Sequence, residues 1–316
     1  MPVLTQAALL RKASGTIVPG DFEANIGTLL PEQSSAFLDR IYVSTPMTQL
    51  QRNERRRSMT GTIAKMGISG RNLRKKNPGV DDSFETKPNF DSVAYAIQRY
   101  RMDSSIEEEV FEEGIEQDGF EDHWLNTVAG QVGRDLEDLH FNGDESSSDL
   151  FLNLNRGWLR QIALSATAHR VNGGTINGGN ISKDDFFAAY QALPDAYKAQ
   201  SDQMRWFMSP TNKSRWLEYL TNRATPAGDA AIFGQGGALA PHGIQILEIP
   251  SMPNDRILLS AVRNFIVVYV RDLRFRKTTE GREAIREDKR FYSWFLGDDP
   301  IIEEDRGIAD IYGLAA

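Results

Sequence analysis

The chain contains no cysteine among its 316 residues. That absence excludes disulfides, thiolate metal sites and cysteine nucleophiles together, and it agrees with assembly in a reducing cytoplasm. No apolar run approaches the ~20 residues that a membrane-spanning helix needs. The longest, such as 265–270, have the length of a strand. The four histidines, His123, His140, His169 and His242, show no metal-ligand spacing. His123 and His140 read as ordinary residues of a helix. No serine sits in a nucleophile elbow. Gly173-Gly174, Gly178-Gly179 and the 234–237 stretch lack the lysine and hydroxyl of a phosphate-binding loop. The sequence therefore offers no catalytic residue, no metal site and no cofactor site. The opening residues, MPVLTQAALLRKASG, have neither the basic start nor the long apolar core of a signal peptide. A chain that starts at its initiator methionine is expected not to have lost a propeptide.

What is present is an ordinary globular balance, 40% apolar and 25% charged, long enough for one large domain or two modest ones. A net charge of −8 argues against a general nucleic-acid binder. The distribution of charge is more telling than its sum. Residues 47–80 carry nine basic side chains (Arg52, Arg55, Arg56, Arg57, Lys65, Arg71, Arg74, Lys75, Lys76) against the single acid Glu54. Residues 103–122 carry ten acids and no base.

Residues 1–35, with Pro2, Pro19 and Pro31, read as an extended arm, and 32–43 as a short helix stopped by Pro46. Residues 47–92 lack helical periodicity. Thr60, Thr62 and Ile63 suggest a strand, and Gly67, Gly70, Asn77-Pro78-Gly79 and Pro88 punctuate the rest. The segment reads as a long basic two-stranded loop with little core of its own. Such a ribbon is marginal alone and wants a partner surface. Residues 103–141 carry the strongest helical signal. Asp103 or Ser105 can cap, with Glu108 completing a capping box behind Ser105, and Gly114 and Gly119 mark a break between a short acidic helix and a long one. In the long one, Phe120, Trp124, Val128, Val132, Leu136 and Leu139 or His140 form a stripe that Leu125 and Ala129 widen. Asn142-Gly143-Asp144 is its glycine stop. Residues 145–180 read as loop-rich and 182–200 as a helix opened by Ser182-Lys183-Asp184-Asp185. Trp206-Phe207-Met208 reads as a buried strand, followed by a helix capped by Thr211 or Asn212. A glycine- and alanine-rich loop occupies 224–243, strands follow at 244–249, 257–260 and 265–270, and the tail mixes short strands with acidic turns.

This order of parts resembles the major capsid proteins of tailed bacteriophages, the Hong Kong 97-type fold that encapsulin shells share. The resemblance covers nearly the whole chain. It rests on a combination: the arm, the basic loop, Pro88-Asn89-Phe90 and the glutamate-rich stretch 106–113. The long helix, Phe207-Met208-Ser209-Pro210, and GIQILEIPSMP followed by ILLSAVRNFIVVYVRDL complete it. The resemblance implies an α+β shell subunit with an N-terminal arm (1–46), an extension loop (47–92), a peripheral domain with a long spine helix (93–148), an axial domain (149–262) and return strands to the peripheral domain (263–316). It implies self-assembly into hexamers and pentamers of an icosahedral head that encloses double-stranded DNA, assembled in the bacterial host cytoplasm and located in the virion. Because the chain lacks the long N-terminal scaffolding segment of the best-known member, the resemblance implies a separate scaffolding protein, or none; a portal, with or without a decoration protein, completes the expected partners. An encapsulin-like compartment shell is the alternative, and no enzyme activity is implied.

Three readings compete for the basic loop: a solvated surface, a nucleic-acid contact, or a clasp over a neighbouring subunit. Interleaved aromatics, which a nucleic-acid surface uses, are limited to Phe84 and Phe90. The clasp is favoured, since patches of opposite sign on identical chains complement each other around a ring. The expected inter-subunit residues are Arg55, Arg56, Arg57, Met59, Ile63, Lys65, Arg71, Arg74, Lys75 and Lys76, facing Glu107, Glu108, Glu109, Glu112 and Glu113. Met59, Ile63, Met66 and Ile68 would supply apolar affinity. The acids recur all round a helix, which does not build a cation cage. Gly234, Gly236 and Gly237 are expected at the capsomer centre. The resemblance also raises a lysine–asparagine crosslink from Lys65, Lys75 or Lys76 to an acceptor such as Asn264, without a shared motif to pair them.

Overall fold

The computed structural model describes residues 47, 51–67, 73, 75, 88–109, 120–222, 240–270, 274–278 and 281–315. The N-terminal arm, the helix expected over 32–43 and Gly234, Gly236 and Gly237 lie outside the described residues, as do Ile68, Arg71, Arg74, Lys76, Glu112 and Glu113.

The strands are β1 (Arg52–Arg56), β2 (Thr60–Gly67), β3 (Asn89–Ala96), β4 (Gln98–Glu107), β5 (His169–Asn172), β6 (Met204–Met208), β7 (Ile246–Glu248), β8 (Arg256–Ala261), β9 (Phe265–Val270), β10 (Arg274–Thr278), β11 (Lys289–Ile302) and β12 (Ala309–Tyr312). The helices are α1 (Phe120–Asn142), α2 (Trp158–Leu164), α3 (Gly173–Asn177), α4 (Lys183–Ala192), α5 (Asp195–Lys198), α6 (Pro210–Thr221) and α7 (Arg282–Glu287). One sheet runs β1-β9-β11-β10 with β4 also on β11. A second runs β5-β12-β8-β6-β7, and β2 with β3 form a separate ribbon.

The helix α1 forms where the stripe places it. Leu125, Val128, Ala129, Val132 and Leu136 are buried against Tyr269, Tyr292 and Trp294 of the first sheet, with Tyr100, Met102 and Ile106 of β4 packed beside them. The helix ends at Asn142. Gly143 and Gly157 then pass so closely that a Cβ on Gly143 would stand 2.6 Å from the Asn155 carbonyl oxygen, and one on Gly157 2.7 Å from the Gly143 nitrogen.

β9 is apolar at every described position because both of its faces are covered. Phe265 and Val267 join Met47, Phe141, Trp158, Phe207 and Leu258 in a central core. Ile266 and Val268 face the opposite way, onto the root of the ribbon. The second sheet follows the same logic: Trp206, Met208, Ile257, Leu259 and Ile311 pack under Phe186 of α4 and Trp216 of α6, while Phe207 and Leu258 turn into the central core.

Four expectations are corrected. Residues 103–107 are strand, not helix: Ser105 pairs with Phe291 and Glu107 with Lys289 in the β4–β11 ladder, so Ser105 caps nothing. The 145–180 stretch holds α2 and β5, and Gly173-Gly174 opens a helical turn, α3. Ser209, rather than Thr211 or Asn212, caps α6, accepting the Asn212 N–H while Pro210 takes the first helical position. Finally, the tail contains the 14-residue strand β11, which runs through Asp298-Asp299-Pro300.

Candidate functional site

β1 lies parallel on β9, with Arg52 opposite Ile266 and Arg56 opposite Val270. Met47, the first residue of the expected extension loop, is in the central core. The basic run at its start is engaged within the chain. Arg55 Nε donates to the Tyr269 hydroxyl over 2.5 Å, Arg56 pairs with Glu54 at 2.6 Å, and Arg52 reaches Glu303 at 3.2 Å. Arg57 is exposed, as is Lys75.

Beyond β1 the chain rises into the ribbon, β2 antiparallel to β3 from Thr60 opposite Ala96 to Gly67 opposite Asn89. Eight residues per strand at ~3.3 Å each make a projection of roughly 26 Å. Its root and its tip differ. At the root, Ile63 and Tyr95 are buried with Ile97, Ile266, Val268 and Ile301, and Met59 and Val93 pack against them. Lys65 Nζ lies 4.0 Å from Glu304 on the same chain. Ile63 and Met59, expected in a contact between subunits, are thus part of the ribbon's own attachment. At the tip, Met66 and Phe90 are cross-strand partners and are 73% and 70% exposed. Leu73 is fully exposed. Large apolar side chains in that state on a two-stranded ribbon mark a surface made for a partner.

Of the acids, Glu107 and Glu109 are exposed, whereas Glu108 makes a two-pronged pair with Arg290. Hydrogen bonds from Arg290 hold the Glu108 carboxyl below its ordinary range. Asn264 is buried and fully engaged: its amide donates to Ser260 Oγ and the Glu304 carbonyl, and its oxygen accepts the Glu304 N–H at 2.7 Å. That environment is unsuited to an acceptor for a lysine.

A polar cluster that sequence reasoning missed sits where the ribbon leaves the body. β11 pairs with β4 up to Asp298 opposite Gln98 and with β9 from Asp298 onward, so the sheet forks there. His140 on α1 and Asp298 are both buried, Nε2 to Oδ2 2.9 Å. Asn155 donates to the Tyr100 hydroxyl at 2.7 Å and to the Asp298 carbonyl at 3.2 Å. Burial, reinforced by the charge of Asp298, pushes the Tyr100 phenol far up. Asp299 accepts the Ala96 N–H at 2.7 Å, and burial with the neighbouring Asp298 raises its carboxyl to about 7. None of these groups faces a metal set; among the described residues no cluster of three or more His, Cys, Asp or Glu side chains could hold an ion. The arrangement ties the root of the ribbon to α1 and β11.

No protein-family model matches the chain. A curated relative, YqbE of Bacillus subtilis (strain 168), named as a prophage capsid protein, is 28% identical over 302 residues, which is 90% of this chain and 92% of YqbE. Among solved structures, the satellite phage P4 procapsid with its size determination (Sid) protein superimposes with a TM-score of 0.71 at 13% identity, covering 99% of this chain and 98% of that one. The capsid of an empty GTA particle gives 0.60 at 14% identity, covering 99% and 100%. The SrpI encapsulin of Synechococcus elongatus PCC 7942 gives 0.55 at 13% identity, covering 99% and 96%. Over nearly its whole length the chain has the Hong Kong 97-type capsid fold, shared by phage heads and encapsulin shells.

Proposed function

We propose that the chain is the major capsid protein of a tailed phage or prophage, forming hexamers and pentamers of an icosahedral head around double-stranded DNA. One observation carries the reading: at the far end of the described part of a ribbon anchored on its own sheet, the cross-strand pair Met66–Phe90 is exposed, with no cover from the other described residues. In a ring of identical chains that pair lies on the next subunit. Burying two side chains of this size contributes on the order of 1.5–3 kcal/mol each. One contact is weak, and a closed shell multiplies it by the number of subunits. Exposed Arg57, Lys75, Glu107 and Glu109 then set register more than affinity, since exposed ion pairs contribute at most about 1 kcal/mol. The net charge of −8 suits an inner wall that does not adhere to packaged DNA.

In this reading residues 1–46 are the arm, the extension loop is the ribbon beyond β1, the first sheet with α1 is the peripheral domain, and the second sheet with α4 and α6 is the axial domain. The expected partners are a separate scaffolding protein, a portal and a decoration protein. An encapsulin-like shell is the second reading, favoured by the structural likeness to SrpI. The likeness to YqbE, a relative named as a capsid protein, weighs toward the phage. Electron microscopy of particles purified from the native source tests both. Closed shells with DNA and one portal vertex are expected; shells holding protein cargo and no portal would decide for the compartment.

A further inference from the structure

The fork at the root of the ribbon has a feature that a passive joint would not need. Where β4 leaves β11, no described strand on the body side pairs with Ala96, and the Asp299 carboxyl accepts the Ala96 N–H at 2.7 Å. The other root contacts are the Ile97 N–H to Met59 carbonyl bond at 2.8 Å within the ribbon base and the apolar cluster around Ile63, Tyr95 and Ile97. A pocket of about 520 Å³ opens alongside, lined among others by Ala96, Gln98, Asn155, Arg156, Gln161 and Asp299.

We propose that Asp299 is a proton-operated latch: the neutral carboxyl closes the fork around the Ala96 N–H, and ionisation, with water drawn in from the pocket, lets the ribbon root open. The inference concerns a single chain and stands apart from the shell reading. The titratable and charged groups around Asp299 are Asp298 on β11, His140 on α1, Tyr100 on β4, Tyr95 on β3, and Arg156 with Glu145 from the segment after α1. Glu145 and Arg156 pair with each other at 2.6 Å. Burial and Asp298 favour the neutral form of Asp299, while the Ala96 N–H, His140 and Arg156 favour the charged one; the first two win, and the group titrates at about 7. An opened, hydrated carboxyl has its ordinary value of 3.8. The closed state therefore holds a proton that the open state releases. Between these two values rising pH favours opening, by at most about tenfold per pH unit for one proton. Above about 7 the effect levels off.

Amide hydrogen exchange of the purified full-length chain from pH 5 to 8, corrected for intrinsic exchange rates, reads the latch. Peptides spanning Ala94–Gln98 should lose protection steeply up to about pH 7 and then level off, while peptides of β6 and β8 do not change in parallel. Asp299→Asn keeps an acceptor for Ala96 and cannot ionise, so its root should show no such rise. Equal pH profiles for the wild type and Asp299→Asn would overturn the latch. Should the variant not fold, the wild type still decides: a root whose protection follows β6 and β8, or keeps falling as steeply between pH 7 and 8, contradicts it.

Discussion

Replacing Trp158 by alanine is expected to destabilise the subunit by about 3–5 kcal/mol, the range for deleting a large buried aromatic side chain. Trp158 opens α2 with no exposed surface, and its indole touches three elements at once. Its ring meets Phe141 at the end of α1 and Phe265 of β9 with centroids 5.0 Å apart in both cases, and His140 at 5.6 Å. Its Nε1–H donates to the Ile301 carbonyl of β11 at 3.1 Å. Alanine would leave a cavity where the central core joins α1 to both sheets, and would strip that carbonyl of its donor. Trp158→Phe keeps most of the packing and loses only the hydrogen bond, so it should cost clearly less. Chemical denaturation of the two variants checks the ordering. Equal costs would mean that the indole N–H, and not the packing, dominates.

Replacing His140 by alanine should be comparably severe, about 3–5 kcal/mol, because it removes the partner of a buried carboxylate. The side chains of His140 and Asp298 are 1% and 3% exposed, so water is not at hand to replace the lost contact. The paired substitution separates this from simple loss of packing. If the two groups act as a unit, His140→Ala with Asp298→Asn should be less destabilised than the sum of the single changes. A strictly additive double variant would contradict the pairing.

These two residues also show where the sequence stopped being legible. The stripe from Trp124 to Leu139 announced α1 because a solvent-facing helix must bury one face, and 3.6-residue spacing records that face directly. The unbroken apolar run of β9 announced a strand by its length, and the structure covers that strand on both sides. His140 sat on the same stripe and passed for an ordinary helix residue, because its partner Asp298 is 158 positions away. Asp298-Asp299-Pro300 lies in the tail, which reads as short strands mixed with acidic turns. Only the fork, with His140, Ala96 and Asn155 supplying partners, explains why two aspartates lie inside a strand. At 103–107 the glutamate run imitated a helix start. The alternation of half-buried Tyr100, Met102, Ser104 and Ile106 with exposed neighbours is a strand period that was there to read. The division of the ribbon into a root held by its own body and a bare tip was not legible, since it depends on Ile266, Val268 and Ile301 arriving from the far end of the chain.

The central claim is that an exposed ribbon tip joins one copy of this chain to the next. Its most direct measurement is electron microscopy with analytical ultracentrifugation of the full-length protein beside a Met66→Ser, Phe90→Ser double variant. The wild type should form capsomers or closed shells; the variant should keep its thermal unfolding midpoint and sediment as a small species. A variant that assembles as well as the wild type, or a wild type that remains a monomer with its ribbon bare, would contradict the account.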